Sequence, residues 1–107
     1  MKFTPKEALA KLEKHPKEFL TLFEHGTLVV EIYQPNKVDK QTPHSRDEVY
    51  VVISGTGTFF NDGERNEFGP GDFLFVKAGL EHRFENFSED FVTWVMFYGP
   101  EGGEAII

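Results

Sequence analysis

The chain has 107 residues, no cysteine and a formal charge of −7. That length suits one domain, and the missing thiols exclude a disulfide scaffold, a thiolate metal site and a cysteine nucleophile. The acidic balance argues against nucleic acid, whose binders cluster Lys and Arg, and no apolar run approaches the roughly 20 residues of a membrane span.

Thr4-Pro5-Lys6-Glu7 reads as a helix start, with Thr4 as cap, Pro5 at the first helical position and Glu7 reaching back. Ala8, Leu9 and Leu12 then share one side of a short helix that ends near His15-Pro16. This helix and its lead-in (residues 1–17) are expected to pack on the outside of the domain or against a second subunit. The opening segment lacks the continuous apolar core of a signal peptide, so the cytoplasm is the expected compartment.

From Glu18 the period changes to that of strands. Phe19 to Phe23, a turn at His25-Gly26, and Thr27 to Tyr33 predict a β-hairpin. A loop opens at Gln34-Pro35 and runs to about Gln41, and a strand follows from about Glu48 to Ser54. Gly55-Thr56-Gly57 breaks that strand, and Thr58-Phe59-Phe60 is read as beginning its partner. Asn61-Asp62-Gly63 is a hairpin turn, and Gly69-Pro70-Gly71-Asp72 another, leading into Phe73 to Val76. Strands near His82 to Glu85 and from about Phe91 to Tyr98 complete the series, and a Gly-rich tail (99–107) reads as loose unless Ile106 and Ile107 dock. Short strands separated by turns, in a chain with twelve Phe, ten Gly and six Pro, predict an all-β sandwich or barrel over residues 18–98.

Three residues stand out chemically. His44 and Glu48 sit just before and at the start of one apolar run, and His82 opens a second. Two imidazoles and a carboxylate form a ligand set that leaves positions free for substrate. Residues two apart in a strand share a face, which groups Thr42 with His44, Glu48 with Tyr50, and His82 with Phe84 around one interior. Tyr50 is the candidate catalytic proton donor, a core tyrosine with a local acceptor being its plainer role. Thr42, Phe59, Phe75, Phe84, Trp94 and Met96 are placed on the pocket wall, with core packing as the other role for the apolar ones. Arg46 and Arg83 would hold an anion only if they point inward, and alternation from His82 turns Arg83 outward.

These residues resemble those of a small single-domain cupin. The first cupin motif, G-x5-H-x-H-x3,4-E-x6-G, is met by His44, Glu48 and Gly55, with Asn36 at the leading glycine and Thr42 at the first histidine. The second, G-x5-P-x-G-x2-H-x3-N, is met by Gly71, Gly79, His82 and Asn86, with Lys77 in place of the proline. The resemblance implies a double-stranded β-helix (jelly-roll) barrel and a homodimer. It further implies a divalent metal (Fe, Mn, Ni or Zn) on His44, Glu48 and His82. Thr42, whose hydroxyl is a poor neutral ligand, leaves a site one imidazole short of the usual three. Three functions fit: a metal-dependent oxygenase, isomerase or lyase acting on a small organic molecule; a non-catalytic small-molecule binder or sensor; or a metal-free isomerase or epimerase.

Overall fold

The computed structural model describes residues 1–105. Helix α1, Pro5–Glu13, starts where the sequence places it: Thr4 Oγ1 accepts from the Glu7 N–H at 3.1 Å, and Pro5 occupies the first turn. Eight strands follow: β1 Phe19–His25, β2 Leu28–Tyr33, β3 Asp47–Ser54, β4 Gly57–Asn61, β5 Glu64–Phe68, β6 Phe73–Val76, β7 His82–Glu85 and β8 Val92–Tyr98. They form a five-stranded sheet in the order β1-β2-β8-β3-β6 and a three-stranded sheet in the order β5-β4-β7, with every pairing antiparallel. This is the jelly-roll architecture with one short helix.

Two of the predicted hairpins form as read. His25 faces Leu28 across Gly26-Thr27, and Asn61 faces Glu64 across Asp62-Gly63. At the second turn both central residues have positive φ, +50° and +87°. That is the signature of the type I′ turn, whose twist matches the strands it joins. The expected pairing of β3 with β4 is wrong. β3 pairs with β8 and β6, while β4 lies in the other sheet between β5 and β7. Gly55 marks the corner between the sheets. Its φ is +87°, and a Cβ there would lie 2.4 Å from Phe91 Cα. Only glycine fits such a position.

The core fills the space between the sheets with Tyr50, Val52, Phe59, Phe68, Phe84, Phe91 and Val95. Phe84 is its hub, with ring centroids of Tyr50, Phe59 and Phe91 at 4.8, 5.0 and 4.6 Å. A second cluster lies on the outer face of the large sheet, where Ala8 and Leu12 of α1 bury against Ile32 and Val92, with Trp94 alongside. The helix therefore packs on the exterior of the same chain. The tail read as loose is bonded to the barrel at two points. Gly102 N–H donates to the Ser45 carbonyl at 2.6 Å, and Glu104 N–H to Asp47 Oδ2 at 2.8 Å. Ile106 and Ile107 lie outside the described residues.

Candidate metal centre

Each sheet contributes one buried ligand candidate. Glu48 is the second residue of β3, on the face that also buries Tyr50 and Val52, and it is wholly inaccessible. His82 opens β7 in the opposite sheet, and its side chain is also fully buried. His44 reaches in from the loop ahead of β3, its ring edge-on to Phe97 at 4.9 Å and 5.2 Å from the His82 ring. His44, Glu48 and His82 thus form a group that could hold a metal ion, with their ligand atoms all within 4.8 Å of one another. Two opposed donors on one ion span about 4.2 Å at the usual bond lengths. The group is slightly wider than that, and its loop-borne member is the partly exposed His44.

The polar atoms of this group are arranged for a cation. His82 Nδ1 lies 2.9 Å from the Leu80 carbonyl, which can only accept, so Nδ1 carries a proton and Nε2 is the nitrogen turned inward. It faces Glu48 Oε1 at 3.1 Å, a separation that a proton or a metal ion between them would satisfy. Neither Glu48 oxygen nor His82 Nε2 has a hydrogen-bond partner among the described residues, and all three atoms are buried. Such atoms cost roughly 1–3 kcal/mol each, and more when charged, unless something satisfies them. A proton or a cation between them removes that cost, so the donor set fits a divalent metal. Burial lowers the basicity of His82, but the Glu48 carboxylate and the Leu80 carbonyl outweigh it and leave the imidazole above its ordinary range. His44 moves the other way: burial holds it below that range despite Glu48.

A cavity of about 670 Å³ opens onto this group and is lined by Lys17, Glu31, Tyr33, Gln41, His44 and Glu48, among others. Thr42 is on its wall but is exposed. Five other expected wall residues, Phe59, Phe75, Phe84, Trp94 and Met96, do not line it. Phe59 and Phe84 are core beneath the site. Phe75, on edge strand β6, is 46% exposed. On β8 the inward residues are Val95 and Phe97, which line the cavity, so alternation puts Trp94 and Met96 on the outer face. The two arginines considered as anion clamps are otherwise engaged. Arg46 donates to the Gly99 and Thr27 carbonyls, and Arg83 pairs with Glu81 and Glu85.

Several cavity residues escaped the sequence reading. Glu31 lines the cavity with its carboxylate held by the Thr21 hydroxyl at 3.0 Å, and burial raises its pKa. A single acid in the otherwise apolar run Leu28–Tyr33, on the same face as Tyr33, was the available signal. Gln41 on the wall, and Asp39 bonded behind it, gave none, because polar residues between strands read simply as loop. Tyr50 is fully buried and donates to Gln41 Oε1 at 2.8 Å. Burial, reinforced by Glu48, lifts its phenol well above the ordinary range.

Comparison with known proteins bears on the fold and family. The family model described as Cupin domain matches residues 29–98. An uncharacterized protein of Streptomyces coelicolor is 40% identical over 63 residues, 59% of this chain and 60% of that one. Acireductone dioxygenase of Rhodopseudomonas palustris is 47% identical over 45 residues, 38% of this chain and 27% of the enzyme. The chain thus spans less than two thirds of the length of either relative. Among solved structures, a Cupin 2 conserved barrel domain protein from Salinispora arenicola superposes with a TM-score of 0.63 at 17% identity, covering 76% of this chain and 74% of that one.

Proposed function

The chain belongs to the cupin family, and from that premise we propose that it is a metal-dependent enzyme acting on a small organic molecule held in the barrel. One observation carries the reading: Glu48 Oε1, Glu48 Oε2 and His82 Nε2 are buried and without hydrogen-bond partners, as expected of atoms built to face a cation. A divalent ion bound there supplies Lewis-acid polarisation of a substrate oxygen. Glu48 and His82 fix that position from two sheets, while His44 closes it from the loop side. The cavity wall carries the apolar Val95 and Phe97 and offers both cationic and acidic groups, Lys17, Lys40 and Glu31. Within the family, oxygenase chemistry is favoured over isomerase or lyase chemistry by the likeness to acireductone dioxygenase.

The metal-free epimerase reading needs Tyr50 as its acid. The Tyr50 hydroxyl is turned to Gln41, and its raised pKa makes it a poor proton donor at neutral pH. The same proposal includes a cytoplasmic location and a homodimer; Phe73 and Phe75, which stand 66% and 46% exposed on edge strand β6, support the homodimer. Light scattering of the purified protein reads the oligomeric state.

Elemental analysis of protein purified without added metal tests the central claim. About one divalent ion per chain is expected, lost in both Glu48→Ala and His82→Ala, together with oxygen consumption across a panel of enolisable hydroxyketones. Undiminished turnover by a preparation stripped of metal would falsify it.

A further inference from the structure

Gln41 lies outside the imidazole and carboxylate set, yet its amide is locked in one orientation at the centre. Asp39, 9% exposed, presents a carboxylate that can only accept. Its Oδ1 takes the Tyr33 hydroxyl at 2.6 Å and the Gln41 backbone N–H at 3.1 Å. Its Oδ2 takes the Phe84 N–H at 2.8 Å and Gln41 Nε2 at 2.7 Å. An acceptor on that side requires the NH₂ end of the Gln41 amide to face Asp39, so Oε1 must face the other way. There it accepts from Tyr50 at 2.8 Å and lies 3.3 Å from His44 Nε2. A carbonyl oxygen has two lone pairs. Tyr50 occupies one, and the other is left beside the His44 nitrogen that also lies 3.9 Å from Glu48 Oε1.

We propose that Gln41 Oε1 is a further protein donor to the metal, one residue before Thr42, the position at which the sequence lacks an imidazole. The inference rests on the metal-centre reading above. The spacing fits a shared ion as well as it fits an N–H···O bond from His44, and the titration below separates the two. Two atoms bonded to one ion at about 2.1 Å are roughly 3.0 Å apart at a right angle and roughly 3.4 Å apart at the tetrahedral angle. The separation of Gln41 Oε1 from His44 Nε2, 3.3 Å, falls between these, as does the 3.1 Å between Glu48 Oε1 and His82 Nε2. Asp39 and Tyr50 then act as positioning residues for Gln41. The resulting set has two nitrogens and two oxygens with a single negative charge, which is harder than three imidazoles with one carboxylate and so narrows the intrinsic advantage of Zn(II) over Mn(II) and Fe(II).

Titration with Co(II) alone, followed by visible absorption and by competition with a chelator, tests this without any substrate. The expected result is that the unaltered protein binds one Co(II), that His82→Ala binds none, and that Gln41→Ala binds at least tenfold more weakly with a shifted d–d band. Gln41→Leu keeps the bulk of the side chain and serves if the alanine variant fails to fold. Asp39→Asn, which no longer dictates the amide orientation, is expected to move the same band. A Gln41→Ala spectrum identical to that of the unaltered protein, whatever its affinity, overturns the donor assignment while leaving the centre intact. Equal Co(II) binding by the unaltered protein and His82→Ala overturns both.

Discussion

The phenols of Tyr33 and Tyr50 each donate to a single acceptor, Asp39 Oδ1 at 2.6 Å and Gln41 Oε1 at 2.8 Å. Burial is the main reason both pKa values are raised, with Asp39 adding to it at Tyr33 and Glu48 at Tyr50. The unfolded chain releases these protons near pH 10, whereas the folded chain keeps them to higher pH. A raised folded-state pKa means the contribution is complete below about pH 10 and is lost as pH climbs from there toward the folded values. Denaturant unfolding between pH 9 and 11 is therefore expected to show stability falling with a slope that is shallower in both Tyr33→Phe and Tyr50→Phe. At pH 7 the same variants separate by the charge of the acceptor. Tyr50→Phe loses a bond to a neutral amide, worth about 1 kcal/mol, and Tyr33→Phe a bond to a carboxylate, worth about 2 kcal/mol. An equal pH slope in all three proteins would show that the phenols ionise normally.

Among the elements, those dictated by neighbours in the chain were legible and those dictated by distant ones were not. The cap at Thr4 and the turn at Asp62-Gly63 depend on a few adjacent residues, and both stand where the sequence puts them. The ligand candidates were legible through spacing: His44 and Glu48 flank the start of β3, and His82 opens β7. Strand β8 misled because both of its faces are covered. Val95 packs in the core and Trp94 beside α1, so the run is apolar throughout and alternation leaves no mark. Gly55 was read as a strand breaker and as the closing glycine of the first motif, although what it enables is a close approach to Phe91 that no local pattern reveals. Gly55→Ala must accommodate both the positive φ and the overlap with the Phe91 backbone, and is expected to cost about 3 kcal/mol or more. A Gly63→Ala variant has the same sign of φ but open space around its Cβ, and is expected to cost about 1 kcal/mol. Comparing the two by urea denaturation isolates the steric part. Equal losses would mean the sheet corner relaxes around the added methyl.

At the scale of the whole molecule, the centre joins the two sheets. Glu48 belongs to the five-stranded sheet and His82 to the three-stranded one, and no backbone pairing links them. Below the centre the sheets are held mainly by core packing around Phe84. A cation shared by Glu48 and His82 would therefore act as a clamp at the open end of the barrel, and its binding energy would appear as resistance to unfolding. At a free metal concentration one hundred times Kd the gain is about 2.7 kcal/mol, or a rise in Tm on the order of 10 °C for a domain of this size. The acidic surface, −7 in all, also attracts divalent ions through its field, so a shift in Tm by itself does not locate the metal. Glu48→Gln separates the two contributions, because it removes one buried charge and leaves the surface untouched. The expected outcome is a Tm that rises with added Mn(II) in the unaltered protein and stays flat in Glu48→Gln up to the same concentration, with 0.15 M salt (about an 8 Å screening length) present to suppress surface binding. A rise of the same size in both proteins would place the ions on the exterior and leave Glu48 and His82 as a buried pair sharing a proton.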